Sequence, residues 1–179
     1  MTTPADVLTF WFDELEFKQW WNTYPEVDAT ILERFGATHE AATKGELFSW
    51  RETPEGRLAE VIVLDQFSRN LFRNDPRSFA YDPMALVLAQ EAIAVGDDTR
   101  LDQMRVSFLY MPFMHSESLA IHEIALKLFS GEGLEKNLES LHKHTDVLRK
   151  FGRYPHRNEV LGRESTADEV AFLEGGRGF

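Results

Sequence analysis

Residues 53–67, TPEGRLAEVIVLDQF, contain the pattern on which the fold prediction rests. Thr53 can cap the N-terminus of a helix, and Pro54 then occupies the first helical position, where the missing N–H of proline costs no hydrogen bond. Apolar residues follow at helical spacing: Leu58, Val61, Ile62, Leu64 and Phe67. The segment therefore predicts a buried helix.

The same start and stop signals recur along the rest of the chain. Predicted helix starts lie at Pro4, Pro25, Pro83, one of residues 97–99, Ser116, Leu134 and Thr166, the last in a capping box with Glu169. Predicted stops are the glycines Gly45, Gly96, Gly131 and Gly152. The helix that starts at 97–99 is expected to end before Pro112. No alternating apolar and polar run between hairpin turns predicts a strand.

These signals predict an all-α chain with seven to nine antiparallel helices, arranged as a tetratricopeptide-repeat-like superhelical array or a bundle. The starts near residues 82, 100, 116 and 134 are almost evenly spaced, so that helix pairs recur about every 34 residues, although the repeat consensus is absent. No linker interrupts the sequence, and residues 1–179 are expected to form a single helical domain. Residues 174–179 are expected to be a frayed tail.

The amino-acid composition argues against several classes of function. Of the 179 residues 43% are hydrophobic, which is enough to build a core, and none is cysteine. Without cysteine or an H-x-x-x-H pair, we expect no metal site and no cofactor. The 30 acidic residues exceed the 19 basic ones, which opposes general nucleic-acid binding. With no signal peptide or membrane span in the sequence, we expect a cytoplasmic protein that does not contact a membrane.

Three polar segments are candidates for a site. In the first, Asp65 and Arg69 are four residues apart on one helix turn, and Asn70 lies next to them. In the second, His115 and Glu117 flank a predicted helix N-terminus, where free N–H groups and the helix dipole favour anions. Each pattern has a simpler interpretation, an intrahelical ion pair for the first and a helix cap for the second.

The third segment, residues 149–163, concentrates positive charge in an acidic chain. It contains five Lys or Arg residues and one His against the single acid Glu159. We expect its polar side chains to bind a ligand: Arg153, His156, Arg157, Asn158 and Arg163. Guanidinium groups suit carboxylates and phosphates, but they can equally hold helices together. In that case Arg153 or Arg157 would lie within salt-bridge reach of Asp65, Glu117 or Glu159.

Four stretches resemble the signatures of a bacterial family catalogued as domain-of-unknown-function family 924: 65–70 (DQFSRN), 114–117 (MHSE), 151–158 (FGRYPHRN) and 161–166 (LGREST). The opening residues 10–12 and the region of Trp20 fit the same family. The resemblance covers essentially the whole chain and implies an all-helical, tetratricopeptide-like fold. It implies no reaction, cofactor or catalytic residue. Tyr154 stands where many relatives are expected to have phenylalanine.

Three functions remain open from the sequence. The first is binding of an anionic small molecule, or of an acidic or carboxylate-ending peptide, by the Arg/His cluster. The second is a hydrolase- or transferase-type enzyme in which His115 or His156 is the acid or base and Glu117 contributes. The third is a structural or assembly role, with a possible homodimer that uses the aromatic residues of 10–24.

Overall fold

The computed structural model describes residues 2–176, and within them the secondary structure is helical, with no strand. The α-helices are α1 (Pro4–Thr9), α2 (Pro25–Thr43), α3 (Pro54–Ile62), α4 (Ser68–Leu71), α5 (Asp82–Ala94), α6 (Gln103–His115), α7 (Leu119–Leu128), α8 (Glu135–Phe151) and α9 (Ala167–Glu174). A π-helical turn (Val63–Phe67) joins α3 to α4 without a break. With that joined segment counted once, the described residues contain eight helices. No helix among them is long and apolar enough to span a bilayer.

The chain divides into two compact units. The first unit comprises Met1–Arg73 and Arg77–Pro112, and the second comprises Asn74–Pro76 and Phe113–Phe179.

Aromatic side chains form much of the core of the first unit. Phe67 lies in the π-helical turn after α3, with its ring centroid 5.2 Å from that of Phe35 in α2 and 5.7 Å from that of Trp11. Phe10 packs 5.1 Å from Phe35. All four side chains are at most 2% exposed. The helix predicted from residues 53–67 is therefore the buried centre of this unit, with α1 and α5 packed against it.

The N-terminus of α3 requires glycine at one position. The Thr53 hydroxyl accepts a hydrogen bond from the Gly56 N–H at 3.1 Å, which is the predicted cap. A Cβ atom on Gly56 would lie 1.8 Å from the backbone carbonyl oxygen of Trp50. Backbone atoms cannot yield as a flexible side chain can, so that any larger residue must displace the start of α3 from the preceding turn.

The prediction for residues 97–112 is wrong at both ends. Residues 97–100 form a 3-10 turn, and the α-helix starts only at Gln103. The helix then continues through Pro112 to His115. Proline removes one backbone hydrogen bond, but Val106 and most residues from Phe108 to Met114 are buried. We attribute the continuation to this burial, which outweighs the local cost.

The second unit follows the predicted signals more closely. Its first helix, α7, starts after Ser118 rather than Ser116, and α7 packs against α8. The α8 helix ends at Gly152, whose φ of 72° lies in the left-handed region that favours glycine. Thr166 and Glu169 form the predicted capping box of α9.

The all-helical prediction is confirmed. The tetratricopeptide-like stacking and the single domain stay predictions. Of the tail expected to fray, Glu174 ends α9, whereas residues 177–179 lie outside the described residues.

Two glycine substitutions should change stability in opposite directions. Gly56→Ala should lower the free energy of unfolding, because the new methyl group meets the Trp50 carbonyl. Gly36→Ala should raise it by up to about 1 kcal/mol, since Gly36 is inside α2 and its new methyl group would meet only the Leu32 side chain at 3.5 Å. Urea denaturation of both variants measures this difference. Equal effects would contradict the close approach at Gly56.

Candidate functional site

Tyr154 is the centre of the polar cluster in the second unit. The left-handed Gly152 ends α8, and two residues later Tyr154 is fully buried in the loop that follows. Its hydroxyl donates to the backbone carbonyl of Met114 at 2.6 Å. The Tyr154 ring thereby ties the loop after α8 to the end of α6.

The Glu117 carboxylate bonds the same loop from the other side. It lies in the short connection between α6 and α7, and its Oε1 accepts from the Tyr154 N–H at 2.6 Å. Arg163 approaches it with both terminal nitrogens, Nη1 at 2.7 Å from Oε2 and Nη2 at 3.0 Å from Oε1. This bidentate pair is the geometry that guanidinium and carboxylate groups favour.

These contacts fix the charge of Glu117. Burial raises the pKa of its carboxyl, but the hydrogen bonds from Arg163 and Tyr154 and the positive charges of Arg163 and Arg157 outweigh burial. The pKa of Glu117 therefore lies below its ordinary value, and the carboxylate stays ionised.

Arg163 and Asn158 close the loop on itself. Arg163 Nε donates to Asn158 Oδ1 at 2.9 Å, and Nη2 donates to the Tyr154 carbonyl at 3.0 Å. The amide nitrogen of Asn158, a buried residue, donates to the Ser165 hydroxyl at 3.0 Å. These side-chain bonds add to the backbone hydrogen bonds of the loop, which include the 3-10 turn Pro155–Arg157 and the bond from the Arg163 N–H to the Asn158 carbonyl at 2.8 Å.

Histidine rings and one guanidinium surround Tyr154. The His156 ring stacks on it with centroids 5.6 Å apart, and the His144 ring meets it edge-on at the same distance. The Arg157 guanidinium lies 4.8 Å from the Tyr154 ring centroid and donates to the His115 carbonyl at 2.9 Å. His156 is exposed, whereas Arg157 is only 6% exposed.

The fully buried His122 also belongs to this cluster. Its Nδ1 lies 2.8 Å from the Thr145 hydroxyl, and its Nε2 lies 3.0 Å from the Ser116 carbonyl and 3.1 Å from the Tyr154 hydroxyl. Burial lowers the pKa of His122, although the backbone carbonyls partly oppose this effect. A carbonyl can only accept, so Nε2 carries a proton where it bonds the Ser116 carbonyl.

Arg153 points to a different partner. Its Nε and Nη2 donate to the two carboxylate oxygens of Glu169 at 2.7 and 2.8 Å. Hydrogen bonds from Arg153, and then from the Thr166 N–H, lower the pKa of Glu169 to about 2 in spite of its burial. Arg153 therefore fastens α9 to the loop after α8.

The predicted residues of the first unit form their own network. Asp65 and Arg69 make the expected i,i+4 ion pair at 3.1 Å, and the Arg69 guanidinium also bonds both Asp82 carboxylate oxygens at 3.0 Å. Asn70 donates to Asp28 at 2.7 Å. These bonds connect α4 to α5 and to α2.

The structure thus brings five predicted residues together around Tyr154, namely His115, Glu117, Arg157, Asn158 and Arg163, with His156 stacked on the ring. The sequence predicted that Arg153 or Arg157 would approach Asp65, Glu117 or Glu159, but the arginine that pairs with Glu117 is Arg163. Arg153 pairs instead with Glu169, and Glu159 is exposed.

Sequence reasoning missed Tyr154 and His144 as cluster members and Glu169 as an ion-pair partner. The capping-box pattern at 166–169 identified Glu169 only as a cap. Within residues 2–176, no group of three or more His, Asp or Glu side chains could hold a metal ion.

Comparison with known proteins yields one family and one solved structure. A family described as "Bacterial protein of unknown function (DUF924)" matches residues 7–177. A solved structure of a protein of unknown function from Agrobacterium tumefaciens is 36% identical, with 97% of each chain covered and a TM-score of 0.90. Among curated proteins, none matches this chain significantly.

The Arg153–Glu169 pair predicts a pH dependence of stability. A carboxyl whose pKa is lower in the folded state stabilises the fold above its unfolded pKa, here 4.5, and this contribution is lost as the pH falls toward about 2. Glu169→Gln, which keeps the capping box, should lower the free energy of unfolding above pH 4.5 and flatten its decline below. Urea denaturation across this range measures both effects. Glu159→Gln, at an exposed glutamate ten residues earlier in the chain, is the control, and an equal change there would contradict the prediction.

The Tyr154 hydroxyl predicts a second stability effect. Tyr154→Phe leaves the Met114 carbonyl without its donor, so we expect a loss of about 1–3 kcal/mol in the free energy of unfolding. Tyr81→Phe provides a control in the first unit. Thermal and urea denaturation of both variants test this, and an unchanged Tyr154→Phe would show that the hydroxyl contributes nothing.

Proposed function

This chain belongs to the bacterial family of unknown function DUF924, and on that premise we propose that its second unit binds a small anionic ligand, a phosphate or a carboxylate, beside Tyr154. The binding groups are the side chains of His156 and Arg157, with His115 near enough for its charge to lower the pKa values of His122 and His144. The observation that carries the proposal is the arrangement of imidazoles and one guanidinium around a single tyrosine ring, with His156 exposed on it.

The proposed site is smaller than the Arg/His cluster expected from the sequence. Arg153 and Arg163 already form bidentate pairs with Glu169 and Glu117. A ligand carboxylate would have to displace an internal one to reach either of them. The proposal therefore leaves these two arginines out of the binding groups.

The pKa values of His122 and His144 are lowered by neighbouring positive charges as well as by burial. Burial first, and then the charges of His115, His122 and His156, lower the pKa of His144 to about 3 against the opposing hydrogen bond to the Ser140 carbonyl. His122 is affected in the same direction by His115 and Arg149, after burial. A bound anion would offset this repulsion, so binding should favour the protonated form of an exposed imidazole.

An enzymatic role for the same residues has less support. Glu117, one of the three candidate catalytic residues, is held ionised by Arg163 and the Tyr154 N–H, so that it is a poor proton donor. An acid–base reaction would depend on His115 or His156 alone. A carboxylate-ending peptide would present the same chemical group as a small carboxylate and is a variant of the binding proposal.

Anion binding is tested by titrating phosphate, sulfate and citrate by calorimetry. His156→Gln should weaken binding about ten- to a hundredfold, mainly below about pH 6.5, where an imidazole ordinarily gains its charge. His142→Gln removes an exposed histidine from the middle of α8 and should leave the affinity unchanged. If the wild-type protein binds none of the three anions at millimolar concentration, the proposal is refuted.

The arginines distinguish binding from a structural role. Arg153→Ala should lower stability, because Glu169 loses its partner, without changing anion affinity. Arg157→Ala should weaken binding, and its circular dichroism must match that of the wild type. If Arg153→Ala weakens binding as much as His156→Gln does, the assignment of the site to residues beside Tyr154 is wrong.

A further inference from the structure

The first unit has a surface that the folded chain leaves largely uncovered. Phe12, Phe17, Trp20 and Trp21 are here called the aromatic patch. Phe12, Trp20 and Trp21 lie against the buried Phe108 of α6, and Phe17 lies against the two tryptophans. Phe17 is 60% exposed and Trp21 is 47% exposed. Neighbouring exposed aromatic side chains on a soluble protein are typical of a binding surface.

The rings of the aromatic patch hold one another in fixed positions. Trp20 donates its indole N–H to the backbone carbonyl of Trp11 at 2.8 Å, and its ring meets Phe108 edge-on at 5.1 Å. Trp21 stacks nearly parallel to Phe108 at 6.0 Å. Phe17 contacts both tryptophans, at 5.7 and 6.1 Å. Such a surface loses little conformational entropy when a partner binds.

Acidic residues accompany the aromatic patch. Residues 12–26, which contain all four rings, include Asp13, Glu14, Glu16 and Glu26 but only one basic residue, Lys18. Glu14 pairs with Arg34 and Glu16 pairs with Lys18. Asp13 and Glu26 are exposed, and no ion pair of the described residues engages them. The segment therefore carries net negative charge next to exposed aromatic faces.

We propose that the aromatic patch docks a basic segment of another protein, one that carries both apolar and Lys or Arg side chains. Aromatic faces attract cations, and the Arg105 guanidinium already lies 5.3 Å from the Phe12 ring. The acidic residues steer a basic partner toward the patch. They repel a second copy of this chain, whose net charge is also −11, and an anionic lipid surface.

The probe is a fluorescent amphipathic peptide of leucine and lysine, compared with a peptide of the same pattern in which glutamate replaces lysine. Fluorescence anisotropy should show that the wild-type protein binds the lysine peptide and not the glutamate peptide. Phe17→Ala and Trp21→Ala should each weaken binding about tenfold, as truncations within a contact surface do. Phe48→Ala, 69% exposed in the same unit, is the control and should change affinity less than about twofold.

Circular dichroism melting shows that each variant is folded before its affinity is compared. The proposal is overturned if the wild type binds neither peptide, if it binds both equally, or if Phe48→Ala has the same effect as Phe17→Ala. Sedimentation velocity and flotation with phosphatidylserine vesicles complete the test. A dimer that dissociates in Phe17→Ala, or vesicle binding that Trp21→Ala abolishes, would assign the patch to a second copy or to a membrane and would equally overturn it.

Discussion

The hydrogen bonds of the Glu117 carboxylate are the interactions on which the second unit depends. It accepts hydrogen bonds from the Tyr154 N–H and from both terminal nitrogens of Arg163. Through these bonds the connection between α6 and α7 holds the loop after α8, whose own backbone hydrogen bonds link residues within the loop. Burial raises the pKa of this carboxyl, but its hydrogen bonds outweigh burial and keep it charged. Together with the bond from the Tyr154 hydroxyl to the Met114 carbonyl, this acid holds Tyr154 beside the histidines.

The basic side chains of residues 149–163 form two groups, those paired with internal carboxylates and those beside Tyr154. Arg153 and Arg163 neutralise buried or half-buried carboxylates, so that they hold the fold together. The simpler interpretation of the sequence pattern therefore applies to these two residues. The remaining groups beside Tyr154 include imidazoles, whose charge depends on pH and on what binds near them. Two arginines of one segment thus pair with internal carboxylates, whereas the proposed ligand site uses other side chains of the same segment.

The first unit is held together differently, because the side chains at its centre are apolar. Phe67 and Trp11 are buried with the rest of the aromatic core, and the polar residues Asp65, Arg69 and Asn70 bridge helices around it. The aromatic patch contrasts with that core, since its Phe17 and Trp21 remain exposed beside acidic residues. The same residue types therefore build the interior in one place and form a surface in another, and burial alone distinguishes them.

The sequence by itself determined the features that local physics controls. Helix caps act within a few residues, so the helix ends at Thr53–Pro54, Gly152 and Thr166 could be predicted. The i,i+4 spacing of Asp65 and Arg69 likewise determined their ion pair.

Tertiary structure decided the rest, because it depended on residues far apart in the chain. The helix through Pro112 persists where burial outweighs a lost hydrogen bond. Glu117 could have paired with any of several arginines, and its partner is 46 residues away. Charge identifies possible partners without ranking them, whereas the packing of α8 and the loop after it places Arg163 at Glu117 and Arg153 at Glu169. Only the folded backbone supplies those distances.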